Sequence, residues 1–252
     1  MLPIPVLGTL ILNRGDLLLR LFRSIDYPYD KFVIINNGKD KGVIAACEEI
    51  QKKDPSKVVV IHSPKNTGVA AGWNLLIKDF PAPWTFICGN DVEFPAGVLE
   101  KMVTAIWEGH EKYGKFFADQ GHNAFAITKL AIDTVGYFDE NFYPAYLEDC
   151  DYQTRLRLAG IPYLDIPGIH VVHGEPKELT GHEPGSSTIY SDPRYRIANG
   201  ITHHNGFQYY IKKWGGVNEQ EKFTHPFNDS KKSLKDWTLD PAWREMNDIW
   251  GV

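Results

Sequence analysis

Cysteine is scarce in this 252-residue chain: Cys47, Cys88 and Cys150 form an odd set of three without metal-ligand spacing. That argues against a disulfide framework or a Cys-based zinc site, and Cys47 and Cys88, inside apolar segments, read as small buried hydrophobes. Long apolar runs are also missing. No stretch approaches the ~18 residues of a membrane span, and the apolar start Met1-Leu-Pro-Ile-Pro5 lacks the basic region and cleavage site of a leader. A soluble, cytoplasmic protein is the expectation. Positive charge is in deficit. With a net charge of −5 and a pI near 6.0, no overall field draws in nucleic acid or anionic lipid, although Lys212, Lys213, Lys231, Lys232 and Lys235 gather near the C-terminus. Nucleic acid is not an expected partner. Three motifs are absent too. The first strand runs into Asn13-Arg-Gly-Asp16 rather than Gly-x-Gly-x-x-Gly, which argues against a dinucleotide cofactor. There is no P-loop and no Gly-x-Ser-x-Gly elbow.

What is present is an alternation of strand and helix signals in a chain long enough for one sizeable core. Continuous apolar runs at Val6–Leu12, Phe32–Ile35, Val58–Ile61 and Trp84–Cys88 read as strands buried on both faces. Helical stripes lie between and after them: Asp16–Ile25 with Asn13 as its cap, Val43–Lys52, a helix opened by Asn66-Thr-Gly68, and Pro95 to about Tyr113. This order predicts an α/β fold with a mostly parallel, doubly wound sheet, whose strand ends carry Asn13, Asn36, Asn37, Asn66, Asn90 and Asp91. Beyond Lys115 the pattern predicts short strands at Phe116-Phe117 and Ala124–Ile127, helices near Lys129–Val135 and Glu148–Ala159, and a strand pair around Tyr163–His173. A lid-like loop over Glu175–Asp192, a helix near Ile197–Trp214 and an irregular tail with Trp237, Trp243 and Trp250 complete the expectation.

Two places carry chemistry. The strand Phe86-Ile-Cys-Gly-Asn-Asp-Val-Glu-Phe94 ends in acids spaced i,i+2, suited to Mg²⁺ or Mn²⁺ on a diphosphate, and His173 ends another apolar strand. The segment Gly136-Tyr-Phe-Asp-Glu-Asn-Phe-Tyr-Pro-Ala-Tyr-Leu-Glu-Asp-Cys-Asp151 packs Glu148, Asp149 and Asp151 behind Phe142, Tyr143 and Tyr146. Mutual repulsion and aromatic desolvation would raise a carboxyl pKa toward that of a base. A helix N-terminus rich in acids, with Asp151 paired to Arg155 at i,i+4, is the alternative.

Five elements in order resemble the family 2 glycosyltransferases of the GT-A fold, in the branch that includes many rhamnosyltransferase-like enzymes. They are Thr9-Leu-Ile-Leu-Asn-Arg14, Ile34-Ile-Asn-Asn-Gly38, Asn66-Thr-Gly-Val-Ala-Ala-Gly-Trp-Asn74, Cys88-Gly-Asn-Asp-Val-Glu-Phe94, and Gly136-Tyr-Phe-Asp139 through Glu148-Asp-Cys-Asp151 and Arg155. The resemblance covers roughly residues 6–215 and implies a Rossmann-like, nucleotide-diphospho-sugar transferase domain over 1–214. Its nucleotide half would be about 1–94 and its acceptor half about 95–214, with 215–252 as an irregular extension packed on it. It further implies that Thr9, Asn13, Asn36, Asn66, Gly68, Asn90 and Asp91 bind the nucleotide sugar, and that Asp91 and His173 hold Mn²⁺ or Mg²⁺. Asp149 would be the general base of an inverting transfer from a nucleoside-diphosphate sugar, such as a UDP-sugar, to a glycan or other hydroxyl. Glu148, Asp151, Arg155 and Trp214 would support the acceptor side. Lys39 replaces the family's usual Ser, and two further positions depart from its pattern: Asn36 stands where Asp is usual, and Gly89 replaces the first acid of Asp-x-Asp. They motivate a second hypothesis, a sugar-nucleotide binder without turnover; a metal-dependent phosphohydrolase is the third.

Overall fold

A computed structural model describes residues 2–118, 122–175, 187–191 and 193–246. Strand β1 (Ile4–Ile11) lies inside the sheet, between β2 (Tyr29–Asn36) and β4 (Trp84–Gly89), and β3 (Val58–His62) pairs with β2; all three pairings are parallel. Two further strands, β6 (Lys115–Phe117) and β7 (Ala124–Thr128), extend the sheet antiparallel beyond β4, and β8 (Tyr163–Asp165) closes it parallel to β6. The order is therefore β3-β2-β1-β4-β7-β6-β8. A two-stranded ribbon joins β5 (Val92–Glu93) to β9 (Val172–His173).

Alternation along β1 shows why its sequence is apolar throughout. Leu7 and Ile11 pack in a cluster with Leu18 and Leu21 of α1 (Gly15–Ser24), Val43 and Cys47 of α2 (Lys41–Lys53), and Leu99 and Met102 of α4 (Val98–Gly109). Val6 faces the other way, in a cluster with Trp73 and Leu76 of α3 (Val69–Asp79), Val135 of α5 (Lys129–Val135), and Tyr152 and Leu156 of α6 (Glu148–Leu158). Helices on both faces are what a parallel sheet requires. A third cluster forms where Phe142 meets Tyr209, Tyr210 and Trp214 of α8 (Pro193–Trp214). Segment 215–246 packs onto it through Phe227, Leu234 and Trp243, and ends in α9 (Pro241–Met246). Between the two main helix layers and α8 lies the short α7 (Ser187–Tyr190) in sequence. No helix among the described residues is long and apolar enough to cross a membrane.

Several local expectations need correction. Asn13 does not cap α1: Arg14, in the left-handed region at φ 63°, takes that position without a side-chain cap, and Asn13 Nδ2 donates to Ser191 Oγ at 2.8 Å. The expected strand pair in Tyr163–His173 is not a pair, because β8 joins β6 while β9 joins β5. The helix expected from Pro95 to Tyr113 is confined to Val98–Gly109, with a left-handed Gly97 before it. The helix expected from Ile197 begins at Pro193, and the expected loop contains a helical turn at Ser187–Tyr190. The remainder of that loop, 176–186 and 192, lies outside the described residues, as does Trp250.

Candidate active site

From β1 the chain winds outward to β2 and β3, then returns to place β4 on the opposite side of β1. That reversal opens a crevice at the carboxyl ends of β1 and β4, where open α/β sheets bind ligands. A cavity of about 180 Å³ lies there. Its walls are Leu10, Ile11 and Leu12 from the end of β1, Asn37, the turn residues Asn66 and Gly68 with Val69, Asn90 after β4, Pro144 to Tyr146, and Ile189. A neighbouring cavity of about 570 Å³ is lined by Asn13, Arg14, Asp16, Lys39 and Asp40, among others.

Backbone geometry makes close approach possible here. Gly68 sits at φ +84°, and a Cβ on it would lie 2.8 Å from the Tyr143 ring and 3.0 Å from Pro144 O. Asn66 Oδ1 accepts from Gly68 N at 3.0 Å and thereby fixes the turn. Asn90, in the cavity wall, is buried with its Nδ2 unpartnered. Thr9 and Asn36 do not line this space. Thr9 is fully buried within β1, between Ile34 and Cys88 on its neighbours, so the strand end falls at Leu10 to Leu12 instead. The Asn36 amide is spent internally, on His62 Nδ1 at 3.0 Å and on Gly38 N at 2.9 Å; Asn37 stands in the wall.

The β5–β9 ribbon registers Val92 opposite His173, which brings His173 Nε2 to 3.4 Å from Asp91 Oδ1. Arg20 of α1 stitches the two segments together, Nη2 donating to Asp91 O and Gly174 O at 2.7 Å each. A hard carboxylate oxygen and an imidazole nitrogen side by side fit a divalent cation of the Mn²⁺ type. No group of three or more His, Cys, Asp or Glu suited to a metal occurs among the described residues, so other ligands would have to come from a bound diphosphate and water. Gly89 has a physical account: a Cβ there would stand 2.9 Å from Asp91 Oδ1, so the Asp91 carboxylate fills the direction an acid at 89 would need.

The three acids at the start of α6 meet three different fates. Tyr146 and Leu147, at φ 82° and 71°, lead from the cavity wall into the helix. Left-handed non-glycine residues in succession cost about 1–3 kcal/mol each and are typical of functional segments. Tyr146 OH bonds Asn199 Oδ1 of α8 and its ring packs at 5.2 Å on His203, which holds the turn. Glu148 is buried with Oε2 unpartnered; burial, then the Asp149 charge, push its carboxyl well above the usual range. Asp149 is 22% exposed and accepts from His122 Nδ1 at 2.8 Å and from Cys150 N at 2.7 Å. Burial pushes its pKa up, but the His122 hydrogen bond, the His122 and Lys115 charges and the Cys150 N–H outweigh it, so its carboxyl lies well below the usual range. Crowding of acids therefore raises Glu148 and not Asp149, contrary to the expectation for the cluster. Asp151 is sealed: Arg155 at 2.8 Å, Lys213 at 2.6 Å and Trp214 Nε1 at 2.9 Å surround it.

With this geometry in hand, the comparisons are specific. The model of the family "Glycosyl transferase family 2" matches residues 9–147, more than half of the chain. The chain belongs to glycosyl transferase family 2. A "Galactofuranosyl glycosyltransferase" of Leishmania donovani is 25% identical to this transferase over 321 aligned residues, covering 92% of the chain and 72% of the relative. Among solved structures, the mannosyltransferase PcManGT of Pyrobaculum calidifontis, in complex with GDP-Man and Mn²⁺, superposes with a TM-score of 0.62 at 14% identity, covering 99% of this chain and 69% of that one. S. aureus TarS 1-349 in complex with UDP gives 0.54 at 13% identity, over 69% of this chain and 61% of that one. At such identities the structural likeness speaks for the fold, and the fold is that of the GT-A glycosyltransferases.

Sequence reasoning passed over two residues of this transferase that the fold brings to Asp149. His122 precedes β7 without any periodic signal, and Lys115, the first residue of β6, is completely buried. Trp214, expected on the acceptor side, is fully buried with Tyr209, Tyr210 and Lys213; it supports Asp151 from the core. Tyr209, Lys213 and Trp214 recur at helical spacing, and that stripe was the readable sign of a buried face.

Proposed function

We infer that this family 2 transferase moves a sugar, with inversion, from a nucleoside-diphosphate sugar to an acceptor hydroxyl on a glycan or similar molecule. The donor is expected to be a UDP-sugar held in the crevice by Asn37, Asn66, Gly68 and Asn90. Asp149 is the general base: it takes the hydroxyl proton as the acceptor oxygen bonds to the anomeric carbon and the nucleoside diphosphate departs from the opposite face. The observation that carries this reading is Asp149 itself, ionised and partly exposed immediately after the cavity wall, while burial pushes the Glu148 carboxyl well above its usual range and Asp151 is sealed. Asp91 and His173 would hold a Mn²⁺ or Mg²⁺ ion, which when bound offsets charge on the diphosphate leaving group. The catalytic unit is proposed to be residues 1–214, with the following segment as a packed extension.

The motif order resembles the rhamnosyltransferase-like branch, whereas the relative from Leishmania donovani is a galactofuranosyl enzyme. Deoxyhexose and furanose donors therefore both belong in the test, a thermal-shift panel of UDP-, GDP- and dTDP-sugars with and without Mn²⁺. Saturating donor at about 100 times Kd adds ~2.7 kcal/mol, or roughly 5–10 °C for a chain of this size. The expected result is such a shift for one nucleotide class, larger with Mn²⁺ and abolished by chelator. No shift with any donor overturns the proposal; an equal shift without the metal removes Asp91 and His173 as ligands.

A further inference from the structure

Three buried polar atoms without a hydrogen-bond partner, Lys115 Nζ, His122 Nε2 and Glu148 Oε2, belong to residues clustered electrostatically around Asp149. Buried polar atoms left unpaired are costly, and folds keep them where function needs them. We propose that His122 is a positioning residue for the transfer: its imidazole fixes the Asp149 carboxylate for proton abstraction, and its own protonation sets the acidic limb of the activity profile. This rests on Asp149 being the base.

The geometry is restrictive. His122 lies stacked on Phe117 at 6.2 Å and edge-on to Phe125 at 6.1 Å, so the ring has little freedom. Its Nδ1 is 2.8 Å from Asp149 Oδ2, while Cys150 N holds Oδ1. Both carboxylate oxygens are thereby fixed in direction. Because Nε2 is buried without an acceptor, the proton of the neutral ring is assigned to Nδ1, where it is donated to Asp149.

The charged groups facing His122 are Lys115 from β6 and Asp149 from α6. Burial, then Lys115, disfavour imidazolium, and Asp149 favours it; the balance places His122 below its ordinary pKa. Lys115 is itself lowered by burial to about 8, against the raising influence of Asp149, Cys150 and Glu148. At neutral pH, Asp149 thus accepts one hydrogen bond from a neutral ring. As pH falls through the His122 titration, that bond becomes a full ion pair and the carboxylate becomes a weaker base. Activity declines in the same window.

The test compares wild type, His122→Asn, His122→Ala and Asp149→Asn. One arm follows UDP release from the most stabilising UDP-sugar, with water as the acceptor hydroxyl that takes the sugar, between about pH 5 and 8. The other follows imidazole titration by NMR, the His122 signal being the one lost in His122→Asn. His122→Asn keeps an N–H donor and should stay within about threefold of wild type at pH 8, with the acidic limb gone. His122→Ala should lose kcat about tenfold, a part of the 10²–10⁴ a positioned base contributes, with donor KM little changed. If the alanine variant is unfolded by circular dichroism, the His122→Asn profile decides. Asp149→Asn should move the His122 titration down by about one unit or more. An unmoved titration overturns the pairing; an intact acidic limb in His122→Asn overturns the positioning role. A wild type that releases no UDP overturns the base assignment itself, whatever the titration shows.

Discussion

Asp149 and Asp151 stand two residues apart on α6, about 200° around the helix, and enter two different buried clusters. On the side of Asp151, Asp139 and Asp151 share Lys213 at 2.7 and 2.6 Å, Arg155 pairs with Asp151, and Tyr209 OH donates to Asp139 at 2.9 Å. Every charge there meets an opposite charge. Around Asp149, by contrast, the Lys115 ammonium lies over aromatic rings, at 5.0 and 5.7 Å, without a hydrogen-bond partner among the described residues, and Glu148 and His122 each keep an unpartnered atom. Closely matched charge specifies a structure, while incompletely matched charge leaves capacity for a substrate or a proton. The same short acidic run supplies both.

The comparison breaks first at its matched side. Lys213→Met leaves two buried carboxylates without their shared cation and should cost about 3–5 kcal/mol, roughly 10 °C in Tm for a chain of this size. Thermal unfolding at pH 7 measures it; a Tm within a degree or two of wild type would mean that the network is not structural.

A smaller effect sharpens the unmatched side. The folded-state pKa of Lys115 is about 8, below its ordinary 10.5, because burial disfavours the ammonium. Folding therefore carries no such penalty above about pH 10.5, loses stability as pH falls toward 8, and stays lower beneath it. Lys115→Met should be more stable than wild type by about 1–3 kcal/mol at pH 7, with the gain vanishing toward pH 10.5 and with slower transfer. Loss of stability at pH 7 in that variant would contradict the assignment of Lys115 as a functional cost.

Much of the fold was legible because the strands of a parallel sheet are apolar on both faces: β1 through β4 announced themselves as runs such as Phe32-Val-Ile-Ile35. Motif order singled out Asp91, His173 and the α6 acids, and the fold sets the first two 3.4 Å apart and starts α6 just after the cavity wall. What was not legible depended on long-range contact. Whether Asn36 or Asn37 faces the crevice turns on His62, a strand away, which takes the Asn36 amide. Asn13 looked like a cap because Ser191, its actual partner, is remote in sequence. No local pattern marks His122 as the neighbour of Asp149, since the pairing exists only once β7 lies beside β6 and α6 packs across them.

The most direct test of the account is to set Asp149→Asn beside Asp151→Asn, measuring Tm, donor binding and sugar transfer for both. The account predicts that Asp149→Asn stays folded and keeps donor affinity while transfer falls about a thousandfold, and that Asp151→Asn, which breaks the sealed network, loses more stability than Asp149→Asn. Near-normal transfer by a folded Asp149→Asn protein would contradict it.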